Sequence, residues 1–190
     1  FHKYNLVDVN ESDYFYRTKP DVFKKKQILK NPVLKNQLIK AEQLLNGFYL
    51  GELKTSEVFD VESLAKFFAV TDLTNAFHGA IWHNQRFYYD PVISKLIPIG
   101  FDALPNTNLE SINSDNQLSI TNENIELPFF EDLIFLKSYI KELQKVSQKF
   151  YLDDFLKNID QELKYNTKIL HKSYPATVLN SNILYEKQKL

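Results

Sequence analysis

The sequence feature that most constrains the fold is the run from Asp60 to Gly79, DVESLAKFFAVTDLTNAFHG. Asp60 is a favourable N-cap, and Glu62 lies in the first turn, where the helix macrodipole favours a negative charge. Because this run is apolar on nearly all sides, it predicts a central helix that several elements cover and that ends at Gly79. Its apolar residues are Val61, Leu64, Ala65, Phe68 and Leu73 on one stripe and Phe67, Ala69 and Val70 on other sides.

Further helices are predicted on both sides of this run. Apolar residues recur at helical spacing over about 32–46 and stop at Gly47, which predicts a helix ended by that glycine. In the last third, the segments FFEDLIFLKSYIKELQKVSQKF and YLDDFLKNIDQELKYNTKIL each predict one amphipathic helix, and a short helix is expected after Pro175. The expected stripes are Leu133, Leu136, Ile140, Leu143 and Val146, then Phe155, Ile159, Leu163 and Ile169 or Leu170.

The β-rich part of the sequence is short. QRFYY and KLIPI flank the turn sequence DPVIS, which predicts a hairpin over 85–99 with Pro98 at an edge or at a strand end. Residues 1–19 alternate in a way that fits a strand pair, and the Asn/Ser-rich segment 103–127 predicts a surface loop. The expected fold class is therefore α-rich α+β, with a β-hairpin set among helices.

Size and composition exclude several classes of function. A chain of 190 residues favours a single domain, or a fragment of a larger one. With a net charge of −1, no global field attracts nucleic acid, and no apolar run reaches the roughly 20 residues of a membrane span. The chain lacks cysteine, so disulfides and thiolate sites are excluded, and only Arg17 and Arg86 are arginines. Because it starts at Phe1 and contains no methionine, we expect it to be part of a longer protein.

The candidate functional residues lie in HGAIWHNQRFYYDPVISKLIPIGFD, residues 78–102. His78, His83 and Asp102 could together hold zinc, as in a hydrolase, although their spacing matches no established signature. Alternatively, the two histidines cap the helix end and bond backbone carbonyls, while Asn84 supports a turn through its side chain. Asp102 follows an apolar strand and precedes a loop, a position typical of metal-binding and catalytic carboxylates.

Residues 60–102 resemble the central signature of the CotH family, the spore-coat-protein-H-like atypical protein kinases. The resemblance is carried, in order, by DVES at 60–63, HN at 83–84, RFYYDP at 86–91 and IPIGFD at 97–102. It implies a kinase-like C-terminal-lobe architecture. It also implies that Asn84 and Asp102 bind Mg²⁺ or Mn²⁺, which bridges the phosphates of ATP, for transfer to Ser or Thr hydroxyls of a protein substrate. Exported locations, at the cell surface of a bacterium, are common among such relatives.

The sequence departs from the family pattern at the catalytic aspartate, whose place His78 takes, six residues before Asn84. A neutral imidazole accepts a proton but lacks a fixed negative charge, so His78 is the candidate catalytic residue beside Asp102. The chain also has only four glycines and no Gly-rich loop, so we expect any nucleotide-gripping lobe upstream of Phe1. These departures leave two alternatives open, an active kinase-like enzyme and a non-catalytic, pseudokinase-like scaffold or binding module.

Overall fold

The structure, a computed structural model, describes residues 19–80, 82–103, 128–178 and 180–189. The strand pair expected within 1–19 and nearly all of the loop expected over 103–127 lie outside these residues. The helices are α1 Lys25–Lys30, α2 Pro32–Tyr49, α3 Thr55–Val58, α4 Val61–Thr74, α5 Leu133–Val146, α6 Tyr151–Asn158, α7 Asp160–Ser173 and α8 Asn182–Lys189. The strands are β1 Arg86–Asp90 and β2 Lys95–Ile99, and 3₁₀ turns span Phe77–Ala80, Trp82–Asn84 and Pro128–Glu131.

Helix α4 is central, as the sequence predicts. The Asp60 side chain caps it by accepting a hydrogen bond from the Ser63 backbone N–H at 3.3 Å. The helix packs against α5, β2, α8 and the 3₁₀ turn that follows it. Together with the single two-stranded sheet of the described residues, this arrangement confirms an α-rich α+β fold. The buried residues of α4 are Leu64, Ala65, Phe68, Ala69, Thr71, Asp72 and Leu73.

Both predicted glycine stops are wrong. Helix α4 ends at Thr74 because Asn75 adopts the left-handed conformation (φ 52°), which asparagine tolerates and which terminates a helix as glycine does. Helix α2 continues through Gly47 to Tyr49. A Cβ atom at Gly47 would lie 2.7 Å from Leu53 Cδ1, so this glycine makes room for the returning chain rather than ending the helix.

The hairpin prediction is confirmed. Strands β1 and β2 pair antiparallel, with Tyr88 opposite Ile97 and Arg86 opposite Ile99. The hairpin is attached to the start of α4, since the Asp60 N–H donates to the Leu96 carbonyl at 2.9 Å. Pro98 lies within a two-stranded sheet, where every strand is an edge strand, as expected for proline.

The main core is rich in phenylalanine and joins α2, α4, α5 and the hairpin. Several of its rings meet with centroids about 5 to 6 Å apart, a spacing that favours tilted and edge-to-face contacts. A smaller apolar cluster, which α8 partly covers, lies between α4, α5 and α6. The largest fully buried side chains are Phe48, Phe59, Phe129, Phe135, Leu64, Leu96, Leu152 and Val58.

Of the apolar stripes predicted for the last third, the first is right in part, because Val146 is buried and Leu136 and Leu143 pack against the core. The second is wrong, because most of its residues are exposed. In α5, Leu133 and Ile140 are exposed, whereas Phe135 and Tyr139 are buried, because the helix turns its aromatic side toward α4. The second segment forms two helices, α6 and α7, that meet at Ile159, and α7 buries no residue. The short final helix is confirmed as α8. Across the described ranges, we find no helix with the length and hydrophobicity that spanning a membrane requires.

Candidate functional site

The hairpin brings two sequence-distant loops together. His78 lies in the 3₁₀ turn after α4, Asn84 ends the next 3₁₀ turn, and Asp102 follows β2. Antiparallel pairing sets Arg86 at the start of β1 opposite Ile99 at the end of β2. The segment before β1 and the segment after β2 therefore meet at the same end of the hairpin, which we call the open end.

The three predicted site residues converge at this open end through His78. The His78 Nε2 atom lies 3.1 Å from Asp102 Oδ2, and the Asn84 Nδ2 group donates a hydrogen bond of 2.9 Å to the His78 carbonyl. The side chains of His78 and Asp102 are 44% and 47% exposed, whereas Asn84 is buried. A contact this exposed contributes little to stability.

The backbone of Asp102 adopts an uncommon conformation. Its φ of 50° lies in the left-handed region, which aspartate tolerates better than most residues but still at a cost in free energy. Non-glycine residues in such conformations concentrate at functional sites, where the surrounding structure holds them. The backbone thus turns at the residue whose carboxylate meets His78.

Gly79 permits the close approach of the two loops, whereas the sequence identified it only as a helix stop. A Cβ atom at this position would lie 3.0 Å from both the Phe101 carbonyl oxygen and Ala103 Cβ. One of these contacts is with the backbone, which does not move aside as a flexible side chain does. A glycine beside the candidate residue His78 is the sequence signal for this contact.

Replacing Gly79 with alanine is expected to separate the two loops by a few tenths of an ångström. We expect a loss of about 1 to 3 kcal/mol in the free energy of unfolding, measured by urea denaturation, because overpacking forces a backbone shift. The matched control is Gly100→Ala in the facing loop after β2, since a Cβ atom there meets nothing within 4 Å. Equal effects of the two substitutions would contradict this role of Gly79.

The donor atoms of the site fit a hard cation better than zinc. Once the Nδ2 group of Asn84 is bound to His78, the Asn84 Oδ1 atom and the Asp102 carboxylate are the oxygen donors. Mg²⁺ is commonly held by one or two such groups, with water and substrate phosphates completing its coordination. The oxygen donors present are thus of the kind that Mg²⁺ prefers.

The zinc alternative is wrong. The His78 and His83 rings lie 6.4 Å apart, centroid to centroid, in an edge-to-face contact. Among the residues that the structure describes, which include His78, His83 and Asp102, no three or more His, Cys, Asp or Glu side chains are grouped so as to hold a metal ion. A catalytic zinc usually has three protein ligands, and that set is not formed here.

Comparisons with protein-family models, with curated proteins and with solved structures found no match for this chain. The relationship to the CotH family therefore stays a prediction from residues 60–102.

Proposed function

We propose that this chain is a CotH-like, kinase-fold region that binds a divalent ion together with the phosphates of ATP. The observation that carries the proposal is the convergence of His78, Asn84 and Asp102 at the open end of the hairpin. These residues come from three separate points in the sequence. The resemblance assigns the ion-binding amide to Asn84 and the chelating carboxylate to Asp102, while His78 takes the place of the family's catalytic aspartate.

The surrounding architecture supports a kinase-like C-terminal lobe. A central helix, α4, is attached to the hairpin through Asp60 and Leu96, and the hairpin leads directly to the proposed chelating residue Asp102. Helices α5 and α8 pack against α4, and α2 and α3 contact the strands of the hairpin. An element that grips the nucleotide from the other side would complete such a lobe.

In this proposal Asp102 has two contacts. One carboxylate oxygen, Oδ2, faces His78 Nε2, which leaves the other oxygen directed to the ion. Bound Mg²⁺ or Mn²⁺ would neutralise negative charge on the phosphates. Second contacts of this kind orient a ligating carboxylate, and their loss weakens metal affinity.

His78 would act as the proton acceptor. Because its Nε2 atom faces Asp102, its Nδ1 atom is the ring nitrogen left to accept the proton of a Ser or Thr hydroxyl. The hydroxyl oxygen would then bond to the γ-phosphorus while the bond to the bridging oxygen breaks and the nucleoside diphosphate leaves. An exposed imidazole is reachable by a protein substrate.

Asp102→Asn tests the ion site. We expect the affinity of the full chain for Mn²⁺ with ATP, measured by isothermal titration, to fall at least about tenfold, because a ligating charge is lost. The control is Asp90→Asn, which removes the same charge at the other end of the hairpin, where Asp90 caps the turn by accepting from the Val92 N–H. Unchanged binding in Asp102→Asn would rule out this assignment.

A second candidate function is a non-catalytic binding module that keeps the site without phosphotransfer. It is favoured by His78, because an imidazole replaces the aspartate that the family pattern places there. Incubation with labelled ATP and a generic Ser-containing protein separates the two candidates. Steady incorporation of phosphate that His78→Ala abolishes would support the enzyme, and binding of Mn²⁺ with ATP but no incorporation would support the binding module.

A further inference from the structure

Arg86 joins three segments at the open end of the hairpin. Its guanidinium group donates hydrogen bonds to the carbonyl oxygens of His83 at 2.8 Å and Gln85 at 2.9 Å. These carbonyls flank Asn84 on both sides. The position and orientation of the Asn84 backbone are therefore restrained by one side chain from the first residue of β1.

The same guanidinium group also restrains the loop that carries Asp102. Its central carbon lies 4.6 Å from the centroid of the Phe101 ring, within cation–π range, and 6.0 Å from the ring of Phe23. Phe101 is the residue directly before Asp102. A planar guanidinium can donate along its edge while it stacks through its face, which a lysine ammonium cannot do.

We propose that Arg86 is a positioning residue of the site, whose guanidinium group fixes the Asn84 turn against the Asp102 loop. Gly79 also allows the chain before β1 to approach the Asp102 loop, since a Cβ atom there would lie 3.0 Å from the Phe101 carbonyl oxygen and from Ala103 Cβ. The importance of this arrangement for ion binding rests on the proposed function. The restraint on the two loops follows from the contacts of Arg86 alone.

The restraint is tested without any ligand. In the full chain, hydrogen exchange of the Asn84 side-chain NH₂ group, followed by NMR, reports its bond to the His78 carbonyl. In Arg86→Gln we expect this exchange to be at least about tenfold faster, with unchanged exchange of core amides in α4, because the opening is local. Unchanged exchange at Asn84, or an equal acceleration throughout α4, would overturn the proposal.

Two further variants make this test specific. Phe101→Leu keeps the arginine but removes the ring face, and since Phe101 is 44% exposed its loss costs little core packing. We expect faster Asn84 exchange in this variant too. Lys95→Gln is the matched control, because Lys95 also donates to two backbone carbonyls, those of Ser56 and Glu57, but from the opposite end of the hairpin. It should leave Asn84 exchange as in the wild type.

Mn²⁺ with ATP is the probe for the consequence of this positioning. We expect Arg86→Gln to weaken its binding about 10- to 100-fold, as loss of an outer-shell partner does, and Lys95→Gln to leave it unchanged. Wild-type binding with no loss in Arg86→Gln would overturn the positioning role. A wild type that binds neither ion nor ATP would instead contradict the proposed function, and the Asn84 exchange would still decide the restraint.

Discussion

Replacing Phe129 with alanine is expected to destabilise the chain by about 3 to 5 kcal/mol, the cost of truncating a fully buried aromatic ring. Phe129 is 1% exposed, and its ring lies 4.9 Å from that of Phe48, 5.3 Å from that of Phe59 and 5.3 Å from that of Phe68, centroid to centroid. Its carbonyl accepts a hydrogen bond from the buried Thr55 hydroxyl at 2.9 Å. Phe129 therefore connects α2, α3, α4 and the short connection between α3 and α4.

The effect is measured as the free energy of unfolding in urea, with Phe150→Ala as the matched control. Phe150 is 64% exposed, so its removal is expected to change stability by no more than about 0.5 kcal/mol. A loss of less than about 1 kcal/mol in Phe129→Ala would mean that the aromatic cluster is not the main core.

Asp72 is expected to make stability fall as the pH rises from about 4 to about 6. Its carboxylate is buried between α4, α5 and α8, accepts a hydrogen bond from the Tyr139 hydroxyl at 2.5 Å and faces the buried cation of Lys187. Burial raises the pKa of Asp72 to about 6, although the Tyr139 bond and the charge of Lys187 oppose the shift. In the unfolded chain the pKa returns to its ordinary value of 3.8.

The direction of this pH dependence follows from which state, folded or unfolded, holds the proton. Between these two pKa values the folded state binds a proton that the unfolded state has released, so each rise in pH favours unfolding. The stabilising contribution of Asp72 is complete below about pH 4 and is lost by about pH 6, and the free energy of unfolding falls by about 3 kcal/mol across this range. Above about pH 6, the contribution of Asp72 to the free energy of unfolding no longer changes with pH.

Asp72→Asn isolates this contribution, because asparagine has the same shape, still accepts from Tyr139 and does not titrate. Urea unfolding of both proteins between pH 4 and pH 7 should show the stability of the variant rising relative to the wild type by about 3 kcal/mol. A difference that is constant over this range would contradict the assigned pKa shift of Asp72.

Asp132→Asn provides a comparison of opposite sign. Burial acts to raise the pKa of Asp132, but hydrogen bonds from Ser56 and from the first turn of α5 hold it below its usual value. Its stabilising contribution is therefore present above pH 3.8 and lost as the pH falls through its lower folded pKa. The stability of Asp132→Asn relative to the wild type should fall with rising pH, and a rise would contradict the assignment.

Local chemistry explains why parts of the fold could be predicted. Asp60 caps α4 because its carboxylate reaches the free N–H groups of the first turn, and the DPVIS turn sets the register of β1 and β2. The convergence of His78, Asn84 and Asp102 was expected only through the resemblance. The structure brings them together because β1 and β2 pair antiparallel, although His78 and Asp102 are 24 residues apart.

The wrong predictions share one physical cause. The sequence of one segment does not show which residues of another segment will pack against it. From the sequence alone, Gly47 could either end a helix or leave room for a closely packed neighbour. Only the position of Leu53 decides between these two roles. Leu133 and Ile140 fit an apolar stripe as well as Phe135 and Tyr139 do, and only contact with α4 selects the aromatic pair.

The sequence by itself determined the central helix, the hairpin and the candidate residues, because caps, turns and periodicity depend on bonds within a few positions. Only the tertiary structure decided which side of α5 is buried, that Asp72 and Lys187 meet in the interior, that Arg86 contacts both loops, and that Gly79 leaves room for their approach. These contacts depend on distances between segments that are far apart in the chain, and packing against the common helix α4 fixes them.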